Sequence, residues 1–225
     1  MFTVALVGPD GVGKTTVAQR LARELPLPLK YLYMGDNPES ANVTLPTTRW
    51  WKRRARRNES QAAAAPGRRG AARRRALRAP LIAVRKTLGF VNRILEEAYR
   101  EAVARAHVRR GTIVLFDRHF VLDYYHFDLR PEARRPFKRR LHGLFLQRIC
   151  RPPDLVICLD APGSVVFARK GEFSPEFLES RRRQYLEFGR WVPHFEVVDA
   201  NRDLRLVLDD VSRAITRFHA RVQAR

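Results

Sequence analysis

The sequence predicts an α/β fold built on a five-stranded, mostly parallel sheet flanked by helices. Five short apolar runs have the length of buried strands, and segments with helical spacing separate most of them. This alternation is typical of parallel sheets, because the crossover between two parallel strands usually contains a helix. The predicted strands are Phe2–Val7, Leu29–Met34, Thr112–Phe116, Leu155–Leu159 and Phe195–Val198.

Helices are predicted between and after these strands. Val17–Leu25 follows the first strand, and two other segments repeat apolar residues every three or four positions. We expect both repeats to be core-facing sides of helices. The first comprises Ile94, Leu95, Ala98, Ala102, Val103 and Ala106, and the second comprises Leu204, Val207, Val211, Ala214, Ile215 and Phe218.

Length and composition favour one domain covering residues 1–225. A chain of 225 residues with 45% hydrophobic residues can bury one core. No apolar stretch approaches the roughly 18 residues that cross a bilayer, and Met1 leads directly into the first strand without a basic leader. The two cysteines, Cys150 and Cys158, are too few for a disulfide framework. We therefore expect a soluble protein in the reducing cytoplasm.

The positive charge is concentrated in one segment. The formal net charge is +21, and residues 49–86 contain fourteen Arg or Lys against one acid, Glu59. The segment also contains Ala62–Ala65, Pro66 and Gly67, so it has few side chains to bury. We expect residues 49–86 to be an insertion over the core, either a mobile basic loop or a marginal helix.

Glycine or aspartate ends or follows four of the five predicted strands. The positions are Gly8, Asp117, Asp160 and Asp199. Ligands of open parallel sheets bind at the carboxyl ends of the strands, so these positions are candidates for a binding site. An aspartate at a strand end can instead cap a turn or the next helix, and Asp160 and Asp199 are open to that interpretation.

The first strand leads into a glycine-rich loop. The segment GPDGVGKT, which begins at Gly8, matches the phosphate-loop pattern G-x-x-x-x-G-K-[ST] at every fixed position and lies between a predicted strand and helix. Gly8, Gly11 and Gly13 permit backbone conformations that turn N–H groups toward a phosphate, and the helix N-terminus adds positive potential. Lys14 is expected to reach the β- and γ-phosphates of ATP, and the Thr15 hydroxyl to ligate Mg²⁺. The sequence therefore predicts a P-loop NTPase fold.

Asp117 and Arg118 form a second candidate element after the third strand. A carboxylate here can hold Mg²⁺ or its water, and the adjacent guanidinium can bind an acceptor phosphate with two hydrogen bonds. A plain ion pair at a strand end is the alternative. Further basic clusters occur at Arg169-Lys170 and at Arg181–Arg183, and charge runs of this kind are usually solvated helix faces.

Together these residues resemble the thymidylate kinase family of nucleoside monophosphate kinases. The resemblance follows the order of the chain over nearly its whole length, except for residues 49–86. GPDGVGKTT is similar to the acidic P-loop of that family. Asp117-Arg118-His119 is similar to the Asp-Arg-Tyr/His element at the end of the family's third strand.

Two later segments extend the resemblance. Residues 169–185 are similar to the family's lid and the helix after it, and Val198-Asp199-Ala200 is similar to the terminal segment near the adenine. The matching positions of the lid and helix are Arg169, Lys170, Gly171, Glu172, Phe177, Arg183, Tyr185 and Leu186.

The resemblance implies a nucleotide site on the loop. Lys14 and Thr15 would hold ATP–Mg²⁺, and Asp199 would lie near the adenine. Asp10 would contact the sugar of the acceptor. The remaining loop positions implied to contact the nucleotide are Gly8, Gly11, Val12, Gly13 and Thr16.

The resemblance also implies how the phosphoryl group is handled. Asp117 would support Mg²⁺ or the acceptor, and Arg118 would hold the acceptor phosphate. Because Gly11 leaves the loop without an arginine, Arg169 and Lys170 of the lid would bring positive charge to the transferring group. Mobile cations suit this chemistry, which needs alignment and charge neutralisation.

The expected activity is ATP- and Mg²⁺-dependent phosphoryl transfer to a small phosphorylated acceptor, most simply a nucleoside monophosphate. The chain differs from the family pattern on the acceptor side. Gly35-Asp36-Asn37-Pro38 replaces an Arg-Glu-Pro-Gly-Gly-like stretch, and Tyr124-Tyr125-His126-Phe127 stands where the family has Ala-Tyr-Gln. A non-nucleotide acceptor such as a sugar phosphate is the alternative.

A hypothesis from another class concerns residues 49–86. The segment would be an arm that docks on nucleic acid or an anionic surface, with ATP setting the conformation, because basic arms bind phosphate backbones regardless of sequence. Trp50 and Trp51 would then stack on bases or anchor the arm on the core. Family members are often dimers, so a homodimer is compatible with the resemblance, although we identified no periodic seam that marks one.

Overall fold

The computed structural model describes residues 1–35, 42–48, 71–120, 122 and 136–224, with the backbone alone for 71–83 and 86. The chain divides into two compact units, one of Met1–Asn42 with Glu101–Arg225 and the other of Val43–Arg100. Part of the predicted insertion, residues 49–70, lies outside the described residues. Residues 36–38 and 124–127 also lie outside them. Its described part, residues 71–86, is helical.

The first unit is built on a sheet whose five strands are all parallel, in the order β2-β3-β1-β4-β5. Each strand begins and ends within one residue of a predicted apolar run, so the predicted α/β fold with a five-stranded parallel sheet is confirmed. The strands are β1 (Thr3–Val7), β2 (Leu29–Tyr33), β3 (Ile113–Asp117), β4 (Leu155–Asp160) and β5 (Phe195–Asp199).

Helices connect these strands, as the parallel arrangement requires. The longer ones in the described part of the chain are α1 (Lys14–Glu24), α2 (Ala71–Arg109), α3 (Phe137–Ile149), α4 (Gly163–Lys170), α5 (Pro175–Glu187) and α6 (Leu204–Gln223). A short 3₁₀ turn, Phe188–Arg190, follows α5. Across the described residues, none of the helices is both long and apolar enough to span a bilayer.

One hydrophobic cluster holds α1 and α6 on the central strands. Leu6 of β1 and Leu159 of β4 are fully buried in it, together with Val17 and Leu21 of α1. The predicted core face of α6 is confirmed, because its apolar repeat lies in the same cluster. The buried residues of α6 are Val207, Leu208, Val211, Ala214, Ile215 and Phe218. The cluster therefore fixes the N-terminal end of α1 relative to β1.

The predicted core face of α2 is wrong. Leu95 is 55% exposed, and none of the other five apolar residues of that repeat is buried. Among the side chains of this helix that the structure describes, the buried ones are instead Glu97, Arg100 and Ala104, together with Glu96 and Glu101. Hydrophobic periodicity does not reveal this face, because charged side chains that pair with one another occupy the buried side of the helix.

Glu96 illustrates how those charges are accommodated within residues 43–100. Its Oε2 atom accepts hydrogen bonds from the Leu45 backbone N–H at 2.9 Å and from Thr48 Oγ1 at 2.8 Å. Its Oε1 atom accepts from Arg100 Nη2 at 2.8 Å and Nε at 3.0 Å. Both carboxylate oxygens are thus satisfied, which removes most of the cost of burying the charge.

The strand register brings the predicted site positions to one edge of the sheet. Leu6 pairs with Asp117 in β3, and Val7 pairs with Cys158 in β4. Because all strands run the same way, the loop after Val7 and the side chains of Asp117 and Asp160 emerge at the carboxyl edge. Open parallel sheets bind ligands at this edge.

Candidate functional site

The loop between β1 and α1 has a backbone that only glycine adopts readily. Gly8, Gly11 and Gly13 have φ angles of 141°, 96° and 105°. At Gly8 the restriction is also one of space, since a Cβ atom would lie 2.5 Å from the Leu159 carbonyl oxygen. The glycines of the sequence pattern are therefore explained by the conformation of the loop.

Helix α1 presents a bare N-terminus to this loop. Gly13 is its N-cap, no side chain caps the helix there, and its first turn contains no acidic residue. Unsatisfied N–H groups at a helix N-terminus attract anions. Val12 is buried in the hydrophobic cluster and anchors the loop, whereas Thr16 is exposed.

Lys14 lies across the loop. Its Nζ atom donates to the carbonyl oxygens of Gly8 at 2.7 Å and Pro9 at 2.8 Å. The same atom lies 3.7 Å from Asp10 Oδ1, and the side chain is only 5% exposed. A buried ammonium group with these partners holds the loop in a compact form, and a phosphate would be a stronger partner than either carbonyl.

Thr15 meets Asp117 across the carboxyl edge. Thr15 Oγ1 donates to Asp117 Oδ2 at 2.5 Å, and the Tyr31 hydroxyl donates to the same oxygen at 3.2 Å. Asp117 is 0% exposed, and its Oδ1 atom has no hydrogen-bond partner in the structure as described. A buried carboxylate oxygen without a partner is uncommon and indicates a place for a cation or a donor. Sequence reasoning missed Tyr31, which it treated only as part of a buried strand.

A cluster of charge surrounds Asp10. Its carboxylate is paired with Arg118 Nη2 and lies near Lys14. Partial burial raises the pKa of Asp10, but Lys14, Arg118 and Arg181 together outweigh that effect and hold the pKa below its ordinary value. The Asp10 carboxylate is therefore ionised at neutral pH and competes for the guanidinium of Arg118.

Arg118 has a strained backbone. Its φ angle is 71°, in the left-handed region that residues other than glycine seldom adopt. Gly35 lies close by, because a Cβ atom on that glycine would be 2.9 Å from Arg118 Cδ. Strain of this kind persists where the surrounding structure requires it, and it clusters at functional sites.

His119 is buried beside this element without joining its polar contacts. Its ring packs edge-on against Phe116 at 5.0 Å, and in the described structure neither ring nitrogen has a hydrogen-bond partner. Burial lowers the pKa of His119 to about 3. The imidazole is therefore neutral and supplies no positive charge to an anion.

The predicted lid cations lie at the end of α4, and their charged groups point to other partners. Arg169 Nη2 donates to the Ala200 carbonyl oxygen at 3.0 Å, and Lys170 Nζ pairs with Glu172 at 2.8 Å. The stem of Lys170 is nonetheless close to the loop, because a Cβ atom on Gly11 would be 3.2 Å from Lys170 Cβ. The C-terminal end of α4 and the glycine loop are therefore neighbours in the structure.

Asp199 has local contacts. Its Oδ1 atom accepts from the Asn201 backbone N–H at 2.8 Å, and its Oδ2 atom is 3.4 Å from Arg202 Nε. The exposed carboxylate thus stabilises the turn after β5. The structure brings together Asp10, Lys14, Thr15, Asp117 and Arg118, whereas no contact links Asp199 to them in the described residues.

Arg182 ties α5 to the end of β4. Its Nε and Nη2 atoms donate to the two oxygens of Asp160 at 2.6 and 2.9 Å. Its Nη1 atom donates to Glu179 at 2.9 Å, and Glu179 in turn accepts from the Gly163 backbone N–H at 3.0 Å. The hydrogen bonds of Asp160 raise the pKa of the guanidinium. In the sequence Arg182 is one of three adjacent arginines, and no pattern distinguishes it from Arg181 and Arg183.

We expect Arg182→Ala to lower the free energy of unfolding by about 1–3 kcal/mol, because it removes charge-assisted hydrogen bonds to two carboxylates. Arg183→Ala is the matched control, since Arg183 is 76% exposed and its Nε atom lies 3.9 Å from Glu179 Oε1. That variant should stay within about 0.5 kcal/mol of the parent. Urea unfolding followed by circular dichroism measures both, and equal effects would contradict the role of Arg182.

The described residues include no group of three or more His, Cys, Asp or Glu side chains arranged to hold a metal ion. The donors that fit Mg²⁺ are the Thr15 hydroxyl and the Asp117 carboxylate, because Mg²⁺ prefers oxygen ligands and takes the rest from water and phosphate. The partnerless Oδ1 atom of Asp117 agrees with such a use.

No family model matches the chain, and no curated protein matches it.

Proposed function

We propose that the chain has a P-loop NTPase fold and is an ATP- and Mg²⁺-dependent phosphotransferase acting on a small phosphorylated acceptor. The observation that carries the proposal is the contact of Thr15 with Asp117 beside the glycine loop and Lys14. A hydroxyl at a helix N-terminus, a buried carboxylate and a lysine beside it are the parts that phosphoryl transfer from ATP requires.

The loop and α1 would hold the phosphates of ATP. Backbone N–H groups of the loop and the uncapped N-terminus of α1 would donate to their oxygens. Lys14 Nζ would leave the carbonyls of Gly8 and Pro9 for the β- and γ-phosphates. Thr15 and Asp117 would hold Mg²⁺. The cation would neutralise the negative charge that develops on the phosphate oxygens.

Arg118 and Asp10 would act at the acceptor. The Arg118 guanidinium can bind a phosphate with two hydrogen bonds, and in the structure it is engaged with Asp10. An acceptor phosphate would therefore displace the Asp10 carboxylate from the Arg118 guanidinium. The resemblance to the thymidylate kinase family supports a nucleoside monophosphate as the acceptor, with a sugar phosphate as the alternative.

Arg169 and Lys170 would need to move to reach the transferring phosphoryl group. Lys170 is paired with Glu172, and both side chains are about half exposed, so this pair can break at little cost. Arg169 would give up its hydrogen bond to Ala200. Closing the lid in this way would also exclude water from the reaction.

An ATP-to-ADP assay with Mg²⁺ tests the proposal. The panel contains nucleoside monophosphates and sugar phosphates, with a no-acceptor control. We expect one acceptor class to stimulate ADP formation well above the control, because an absent acceptor leaves only slow hydrolysis. Flat activity across both classes, with no Mg²⁺-dependent ATP binding in a separate measurement, would contradict the proposed function.

A further inference from the structure

Tyr31 projects from β2 toward the end of β3. Residues 31 and 33 share one face of β2, and Tyr31 packs against the hydrophobic cluster on the α1 side of the sheet. Tyr33 pairs in register with Asp117, so the Tyr31 side chain must reach along its strand to the carboxylate. Its hydroxyl arrives 3.2 Å from Asp117 Oδ2.

The two oxygens of Asp117 are used differently. Oδ2 accepts from Thr15 Oγ1 and from the Tyr31 hydroxyl. Oδ1 accepts from no group in the described residues, although the side chain is 0% exposed. The two donors on one oxygen therefore fix the rotation of the carboxylate, and the other oxygen is left without a protein partner.

We infer that Tyr31 is a positioning residue that orients the Asp117 carboxylate toward Mg²⁺, an inference that rests on the proposed function. Groups that hydrogen-bond to a metal-binding carboxylate fix its orientation, and losing them commonly costs 10–100-fold in metal affinity. Thr15 cannot do this alone, because its hydroxyl is itself a proposed ligand of the metal.

The chemistry of the hydroxyl fixes the direction of the hydrogen bond. A phenol has an ordinary pKa of about 10 and is protonated at neutral pH, so the Tyr31 hydroxyl donates and the Asp117 carboxylate accepts. The Gln19 side chain also hydrogen-bonds to the Tyr31 hydroxyl. Thr15 Oγ1 shares the acceptor oxygen of Asp117 with that hydroxyl.

Tyr31→Phe is the direct test, because it removes the hydroxyl and keeps the ring in the hydrophobic cluster. ADP binding is measured by calorimetry in EDTA and in a Mg²⁺ titration, so that the gain in affinity caused by Mg²⁺ is obtained for each variant. We expect Tyr31→Phe to need about tenfold more Mg²⁺ for the same gain. Its affinity for ADP in EDTA should be unchanged.

Two further variants distinguish positioning from a structural role. Tyr99→Phe deletes a hydroxyl from an exposed tyrosine on α2 and should bind ADP and Mg²⁺ as the parent does. In an Asp117→Asn background, Tyr31→Phe should add no further loss, because its effect passes through the carboxylate. Thermal unfolding confirms that each variant is folded.

The outcomes are separable. If the parent gains no ADP affinity from Mg²⁺ and the acceptor panel is also flat, the proposed function fails and this inference fails with it. If only the Mg²⁺-dependent gain is missing, this inference is overturned while the proposed function stands. If the parent gains affinity and Tyr31→Phe gains it at the same Mg²⁺ concentration, the role of Tyr31 is overturned while the proposed function stands. An equal loss in Tyr99→Phe, additive losses with Asp117→Asn, or a change confined to EDTA would also overturn it.

Discussion

Lys14→Ala should reduce ATP-dependent turnover by on the order of 10²–10³-fold, because it removes the cation expected to reach the β- and γ-phosphates. The effect should appear in turnover at saturating acceptor, measured by ADP formation. Full turnover in this variant would refute the assignment of residues 8–16 as the phosphate loop.

A control separates lost chemistry from a collapsed loop. Lys14 Nζ also holds the carbonyls of Gly8 and Pro9, so the variant is first checked by thermal unfolding. Lys30→Ala removes an exposed lysine from β2 and should keep parental turnover. Loss of activity in both variants would point to net charge rather than to the position of Lys14.

Arg118→Ala should raise the KM for the acceptor by about 10²-fold and leave the KM for ATP within about twofold. The expected size corresponds to losing two charge-assisted hydrogen bonds to an acceptor phosphate. Arg118→Lys should recover little, since an ammonium group does not present the planar fork of a guanidinium. Steady-state kinetics with the acceptor identified in the panel assay measures these constants.

The backbone of Arg118 provides the control. Because its φ angle is 71°, Arg118→Gly removes the same side chain while relieving backbone strain. If the side chain is what binds the acceptor, the alanine and glycine variants should be equally impaired. Recovery in Arg118→Gly, or an equal rise of both KM values in Arg118→Ala, would show that the residue has another role.

The parts of the fold that could be predicted were those encoded by short stretches of sequence. Buried parallel strands are apolar on both faces, so each strand was visible as a continuous run. The glycine loop has fixed spacing, and its neighbours Lys14 and Thr15 follow from that spacing. Asp117 was predicted because it ends a strand.

Contacts between distant segments could not be predicted in the same way. Tyr31 reaches Asp117 only through the register of β2 on β3, which no local pattern encodes. Arg182 was indistinguishable from its neighbours until the packing of α5 brought it to Asp160. The inner side of α2 was misjudged because hydrophobic periodicity does not detect buried charges that pair with one another.

The strand order has a consequence for the synthesis of the protein. The central strand β1 is made first, yet its neighbours β3 and β4 are more than a hundred residues away in the chain. At a synthesis rate of about 5–20 residues per second, β3 leaves the ribosome roughly 5–20 s after β1. During that time a nascent chain presents Val4–Val7 with both edges unpaired, and Thr15 has no Asp117 to contact. A ligand that needs both Thr15 and Asp117 therefore cannot stabilise the chain until β3 has been synthesised.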